Sequence, residues 1–175
     1  GDDHTYEHFN VHVDVLVVGG GIAGLAAALA AGKSGARVLL VEQTAAWGGR
    51  ASVDRVTIEG EAAQVWIDAT VAALTEMPNV SLRLRTQGAG VFDHGYALAH
   101  ERLTDHLAHA DGPRQRLWRI RAGQIVTATG AIERPLSFAC NDIPGVLLAG
   151  ALRDYVANFG VAVGERTVVV TNNDD

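Results

Sequence analysis

One stretch constrains the chain more than any other: Val13 to Glu42, VDVLVVGGGIAGLAAALAAGKSGARVLLVE. Val13 to Val18 is an apolar, β-branched run of strand length that breaks at Gly19-Gly20-Gly21. An Ala/Leu-rich helix follows to about Lys33, Gly35 turns the chain, and Arg37 to Val41 forms a second apolar strand ending on Glu42. Gly19, Gly21 and Gly24 fit G-x-G-x-x-G between strand and helix, the context a dinucleotide-binding turn requires.

Each position has a physical task. Gly19 allows the tight turn, Gly21 has no Cβ to keep a pyrophosphate from the backbone, and Gly24 lets the helix lie close on the strand. The helix start offers unpaired N–H groups and the positive end of its dipole, which favour an anion. Glu42 stands eighteen residues beyond Gly24, where a carboxylate accepts hydrogen bonds from an adenosine ribose. A 2′-phosphate there would meet a like charge, so the pattern favours NAD or FAD over NADP.

The 175 residues suffice for one domain with a core, and 48% hydrophobic against 19% charged residues suits an α/β globule. A net charge of −6 gives no basic surface for nucleic acid or anionic membrane. No apolar run reaches the length of a membrane span, and the polar opening GDDHTYEHFN is no signal peptide. The single cysteine, Cys140, excludes an internal disulfide and suits a reducing cytoplasm. Both ends read as cut: the chain opens on Gly1 rather than Met and stops at TNNDD just after an apolar run.

Residues 1–12 read as a polar arm carrying His4, His8 and His12, and 13–175 as a truncated nucleotide-binding domain whose βαβ unit covers 13–43. Beyond Glu42, the Gly48-Gly49 pair puts more bare backbone near the expected pyrophosphate, and Arg50 could pair with it. Trp47 reads as loop packing, and 51–60 gives no clear assignment. Helical spacing covers Glu61 to Met77, and Val80 to Leu84 alternates as a strand. Thr86 to Gly90 reads as a crossover loop near the ligand. An antiparallel insertion over about 91–128 is expected, with strands Val91 to Leu98 and Arg114 to Arg121 and a hairpin at Ala122-Gly123. His100, His106 and His109 lie in the connecting segment, which reads as solvated and without a metal set. Gln124 to Thr127 is a further strand closing on Ala128-Thr129-Gly130-Ala131, small residues that let backbone approach a ligand. Leu147 to Phe159 is helical, and Thr167 to Thr171 would be a last strand, opening a second nucleotide-type unit at about 166–175. The expected class is α/β: a Rossmann-like FAD/NAD(P)-binding domain with a central parallel sheet, helices and a small antiparallel layer.

The N-terminal unit, Gly48-Gly49-Arg50 and the Ala-Thr-Gly strand end together resemble the two-dinucleotide-domain flavoproteins. YEHFNVHVDVLVVGGG, LRTQGAGVFDHGY and the run from Pro113 to Asp174 resemble, more narrowly, the alpha subunit of heterotetrameric sarcosine oxidase. That resemblance implies an oxidoreductase that oxidatively demethylates sarcosine to glycine with oxygen and tetrahydrofolate. It implies partner beta, gamma and delta subunits, the amine-oxidising flavin on beta, FMN near the alpha/beta contact, and NAD on alpha. NAD contacts would then fall on Gly20, Val41, Glu42, Gln43, Arg50 and Gly88, alongside Gly19, Gly21, Gly24, Gly49, Thr129 and Gly130 from the motif reading. Relatives of this type place a second acid where this chain has Val41, an arginine where it has Gln43, and a smaller polar residue at Arg50.

On their own, the Gly-Gly-Arg and Ala-Thr-Gly segments point to FAD, whereas the family resemblance implies NAD. NAD is the reading followed, with FAD in a related amine or proline dehydrogenase as the alternative. A scaffold subunit with a vestigial nucleotide site is the third. No nucleophile–base pair or metal set is present, so no catalytic residue is expected in this stretch, which alone would be inactive.

Overall fold

The computed structural model describes residues 4–108 and 111–171. Its strands are β1 (Thr5–Val18), β2 (Val38–Val41), β3 (Thr57–Ile58), β4 (Glu61–Ala62), β5 (Val80–Arg83), β6 (Thr86–Phe92), β7 (Tyr96–Arg102) and β8 (Pro113–Thr127). Its helices are α1 (Ile22–Lys33), α2 (Ala63–Thr75) and α3 (Ala149–Phe159). Six strands form one sheet in the order β5-β2-β1-β8-β7-β6, while β3 and β4 form a separate small hairpin. β5, β2, β1 and β8 run parallel, and β7 and β6 add antiparallel. The expected class holds, with a mixed sheet in place of a parallel sheet plus a separate antiparallel layer.

All four residues of β2 are buried, because both faces of the sheet there are covered. On one face Leu25 and Ala28 of α1 and Ile67 and Leu74 of α2 pack with Val17, Val38 and Leu40. On the other, Leu16, Leu39, Val41, Trp118 and Ile120 cluster with the small side chains Ala97 and Ala99 of β7. The helical spacing over 61–77 appears as α2, whose buried positions Ala63, Ile67, Thr70 and Leu74 recur every three to four residues. α3 ends, as expected, at Gly160, which takes φ 63°.

Several expectations give way. Residues 5–12 are not an arm: they continue β1, paired with β8 from Thr5↔Pro113 onward. The stretch alternates, and Phe9, Val11 and Val13 share one face: Val13 is buried, Val11 partly buried, and Phe9 stays exposed while lying 5.3 Å from the Trp118 ring. Ala122-Gly123 makes no hairpin, since β8 runs unbroken to Thr127. Gly123 instead marks a close approach, where a Cβ would stand 3.0 Å from the Asp14 carbonyl oxygen. Val91 to Leu98 is not one strand: the chain reverses at Asp93–Gly95, with His94 at φ 59° and Gly95 at φ 67°, so Thr86 to Gly90 belongs to β6 rather than a loop. The section expected as an insertion over 91–128 therefore includes a strand, β8, central to the main sheet. Thr167 to Thr171 forms no strand, and Val168, Val169 and Val170 are exposed. Residues 1–3, His109 and 172–175, including the end of the expected second unit, lie outside the described residues.

Within β1, Asp14 is held by Arg37, the residue just before β2. Nη2 lies 2.8 Å from Oδ1, Nε donates to Oδ2 at 3.1 Å, and the Arg37 backbone N–H donates to Oδ2 at 2.8 Å. The Arg37 guanidinium, and then its N–H, pull the Asp14 carboxyl from 3.8 to about 2. A carboxylate with a lowered folded-state pKa contributes stability that is present above pH 3.8 and is lost as the pH falls towards 2. Thermal unfolding followed from pH 5 to pH 2 is expected to show an acid-side loss of Tm that is smaller in Asp14→Asn. Identical profiles would contradict this role.

Candidate functional site

The carboxyl ends of β1, β2 and β8 meet at the glycines. Gly19 turns at φ 108° with its N–H on the Val41 carbonyl (2.9 Å), and a Cβ there would stand 2.2 Å from the Ala128 oxygen. A Cβ on Gly24 would come within 1.8 Å of the Gly19 oxygen, which is why α1 lies so close on the strand. Gly21 differs from both. It is the N-cap of α1, its backbone is extended (φ −71°), and nothing lies within 4 Å of the position a Cβ would take.

No side chain caps α1, and its first intrahelical donor is Leu25, bonded to the Gly21 oxygen at 2.9 Å. The N–H groups of Ile22, Ala23 and Gly24 precede that bond and have no acceptor within the helix. An open space beside three such donors, at the positive end of a helix, is a cradle for an anion, and it is the space the pyrophosphate of a dinucleotide requires.

Glu42, only 6% exposed, closes one side. Its backbone is fixed at both ends: its N–H donates to Arg83 O at 2.8 Å, and its carbonyl accepts from Thr86 N–H at 2.7 Å. The carboxylate accepts the Gly20 N–H on Oε2 and the Thr44 N–H on Oε1, both at 2.7 Å. Each oxygen keeps a further lone pair, so a ribose diol can still be bound. The Gly48–Gly49 loop lies alongside, with Gly48 N–H on the Gly20 carbonyl at 2.8 Å and a Gly49 Cβ position 3.3 Å from Gly21 Cα. Trp47 packs over Gly20, where a Cβ would stand 2.5 Å from its ring, so the expected packing role is the one seen.

Not every expected residue presents its side chain here. Val41 is buried in the core, and its carbonyl accepts the Gly19 N–H. Gln43 is exposed, and its carbonyl accepts from Arg102 Nη2 at 2.8 Å. Gly88 sits within β6 against Val18, where a Cβ would be 2.8 Å from Cγ1. It lines a cavity of about 230 Å³ with Val18, Val41, Ala97, Ala99 and Thr129. Thr129 and Gly130 follow β8, the Thr129 nitrogen lying 3.2 Å from the Gly19 Cβ position.

Arg50 turns to carboxylates. Nη1 reaches Asp154 of α3 at 3.1 Å and Nη2 reaches Asp54 at 3.3 Å, while Arg153 reaches Asp54 at 3.1 Å. Sequence reading missed this four-charge cluster; its one local sign was the i,i+4 pair Arg50/Asp54. Among the described residues, no group of three His, Cys, Asp or Glu side chains is placed to hold a metal, and His106 lies 3.7 Å from Asp105. Among the described residues, no helix is long and apolar enough to cross a membrane.

Removing the Glu42 carboxylate has a defined cost. Glu42→Ala would leave the Gly20 N–H without its acceptor and remove a carboxylate placed to accept from a ribose, so dinucleotide binding is expected to weaken by about 1–3 kcal/mol. Calorimetric titration measures this, and an unchanged affinity would remove Glu42 from the site.

Residues 14–66 match the family model described as FAD dependent oxidoreductase. The chain is similar to the sarcosine oxidase subunit alpha of Corynebacterium sp. (strain P-1), with 48% identity over 180 residues and 99% of this chain. The corresponding subunit of Rhizobium meliloti (strain 1021) is 45% identical, again over 99% of the chain. In both cases the match spans about 18% of the relative's length. Among solved structures, L-proline dehydrogenase from P. horikoshii superposes with a TM-score of 0.70 and 31% identity, covering 90% of this chain and 30% of that one. The resemblance to sarcosine oxidase alpha subunits therefore holds along nearly the whole chain, and the fold is that of FAD/NAD(P)-binding flavoprotein domains.

Proposed function

We propose that this chain, the counterpart of one segment of the sarcosine oxidase alpha subunits, holds the ADP portion of a dinucleotide in an oxidoreductase. The open space over Gly21, facing donors that no residue of the helix takes up, carries this reading. The pyrophosphate lies on the first turn of α1, and the adenosine ribose on Glu42. When bound, the nicotinamide or flavin at the far end of the ligand supplies hydride transfer. The residues here anchor and orient the opposite end, fix it through charge-assisted N–H contacts, and contribute no proton to the reaction.

NAD is the occupant implied by the alpha-subunit resemblance. FAD is the second reading, favoured by the match of residues 14–66 to an FAD dependent oxidoreductase model. Glu42 and the glycines contact only the ADP half, which the two share, so they select neither. The wider proposal follows the resemblance: a subunit of an oxidase that demethylates sarcosine to glycine with oxygen and tetrahydrofolate, assembled with beta, gamma and delta subunits, with FMN near the alpha/beta contact and the whole in the cytoplasm.

Arg50 admits two roles that mutations separate. If it binds the pyrophosphate, it must leave Asp154, so Asp154→Asn should tighten dinucleotide binding and Arg50→Ala should weaken it. If it only fastens α3, both variants leave binding unchanged and expose α3 to proteolysis. The overall reading is tested by denaturing the full-length protein, purified with its companion subunits, and assaying the released nucleotides. NAD or FAD in stoichiometric amount from this polypeptide supports it. Absence of both, together with no calorimetric binding of either, overturns it.

A further inference from the structure

The sheet has a long free edge. β1 pairs with β8 from Thr5 to Val18, but with β2 only from Val15 to Val18. Along residues 7–13, therefore, one side of β1 has no strand beside it among the described residues. Such an edge is a ready template for another strand, and native proteins blunt it with prolines, lysines or short length. Glu-His-Phe-Asn-Val-His-Val contains neither proline nor lysine.

Beside this edge lies a groove of about 320 Å³ lined by Phe9, Val11, Val13, Leu39, Arg83 and Trp118. None of these residues belongs to the glycine cradle. Two arginines reach the aromatic cluster, and their situations differ. Arg116, 4.7 Å over the Phe9 ring, is neutralised by Glu7 and by Glu101 at 3.1 Å. Arg83 lies 5.5 Å over Trp118, and its Nη1 donates to the Leu82 carbonyl at 2.9 Å. Its Nε is buried with no hydrogen-bond partner among the described residues. A buried orphaned donor on a charged group is costly, and native structures rarely leave one. The nearby acid is already engaged: Glu101 accepts from Trp118 Nε1 at 2.8 Å as well as from Arg116.

We propose that an extended segment of the same polypeptide, outside these 175 residues, adds as a strand along residues 7–13 of β1 and places an Asp or Glu carboxylate on Arg83. The alpha-subunit relatives are more than five times as long as this chain, since the match spans 18% of their length, so the covering polypeptide is available in cis. The backbone edge supplies main-chain pairing, the Phe9–Trp118 groove receives alternate side chains, and Arg83 demands the acid. A carboxylate also completes the side-on fork of the guanidinium, whose other side is taken by Leu82.

Hydrogen exchange read by mass spectrometry on the full-length assembled protein tests this. With one edge open, about half of the amides of residues 7–13 should exchange in seconds, because alternate N–H groups face opposite sides of a strand. The proposal expects nearly all of them to be slow. It further expects a photo-cross-linker at Asn10 to capture an acidic segment of the same polypeptide, and Arg83→Met to return fast exchange to residues 7–13. The amides of α1 serve as the folding control, and Arg83→Gln, which removes the charge but keeps a polar side chain, takes the place of Arg83→Met if that control fails. Fast exchange of half these amides in the wild-type assembly overturns the proposal. So does a cross-link to a companion subunit or to a second copy, or exchange that is insensitive to Arg83.

Discussion

Gly21→Val is expected to abolish dinucleotide binding while the protein still folds. The two effects separate because Gly21 has ordinary extended backbone geometry at φ −71° and no neighbour within 4 Å of a Cβ position, so the branch point of a valine meets nothing in the folded protein. It does fill the space in front of the α1 N–H groups. Losing even two charge-assisted hydrogen bonds, at about 1.5–3 kcal/mol each, corresponds to a ~100-fold or greater loss of affinity. Titration calorimetry and a thermal melt on the same sample are the measurements. Wild-type affinity would remove the pyrophosphate from this position, and a large fall in Tm would show that the space is not open.

Gly24→Ala is expected to do the reverse and damage folding first. A Cβ there would stand 1.8 Å from the Gly19 carbonyl oxygen and 3.4 Å from Ala128 Cβ, so α1 must lift from the sheet or the Gly19 turn must open. Both neighbours are backbone-bound, Gly19 through its N–H on Val41, which leaves little room to yield. Forced overpacking costs about 1–3 kcal/mol and sometimes more, and this contact belongs at the upper end. Urea unfolding reads the change directly. A loss of less than about 1 kcal/mol would mean that α1 does not rest on the turn as closely as described. The two glycines, three residues apart, differ in this way: a Cβ on Gly21 would meet open space, and one on Gly24 would meet the Gly19 backbone.

That division was legible in the sequence because it is local. Strand, glycines, helix and acidic strand tip lie within thirty residues, and each has a pattern with a mechanism. α2 and α3 were legible for the same reason, through helical periodicity. The pairing of β1 with β8 was not, because its two strands are separated by about a hundred residues and nothing in Tyr6 to His12 says which partner will cover it. Phe9 and Trp118 make sense only together. Gly123 reads as a turn in isolation, yet it is a close approach to Asp14 within a continuous strand. Similarly, Arg50 follows a glycine pair and invites a phosphate, whereas Asp154, which it meets in space, lies 104 residues away.

The same reasoning explains why the residues around the strand tip were harder to read than the glycine turn. A pyrophosphate cradle is built from missing side chains and bare N–H groups, which glycine spacing reports. The Val41 and Gln43 carbonyls, by contrast, accept from Gly19 and Arg102, and Gly88 sits in a strand whose register is set by β7. No residue type announces those roles.

The most direct measurement is a structure of the full-length protein with its dinucleotide bound. The account predicts the pyrophosphate over Gly21 against the first turn of α1, and the adenosine ribose hydroxyls on the Glu42 carboxylate. A side chain from elsewhere in the polypeptide filling the space over Gly21, or a dinucleotide held away from Glu42, would contradict it.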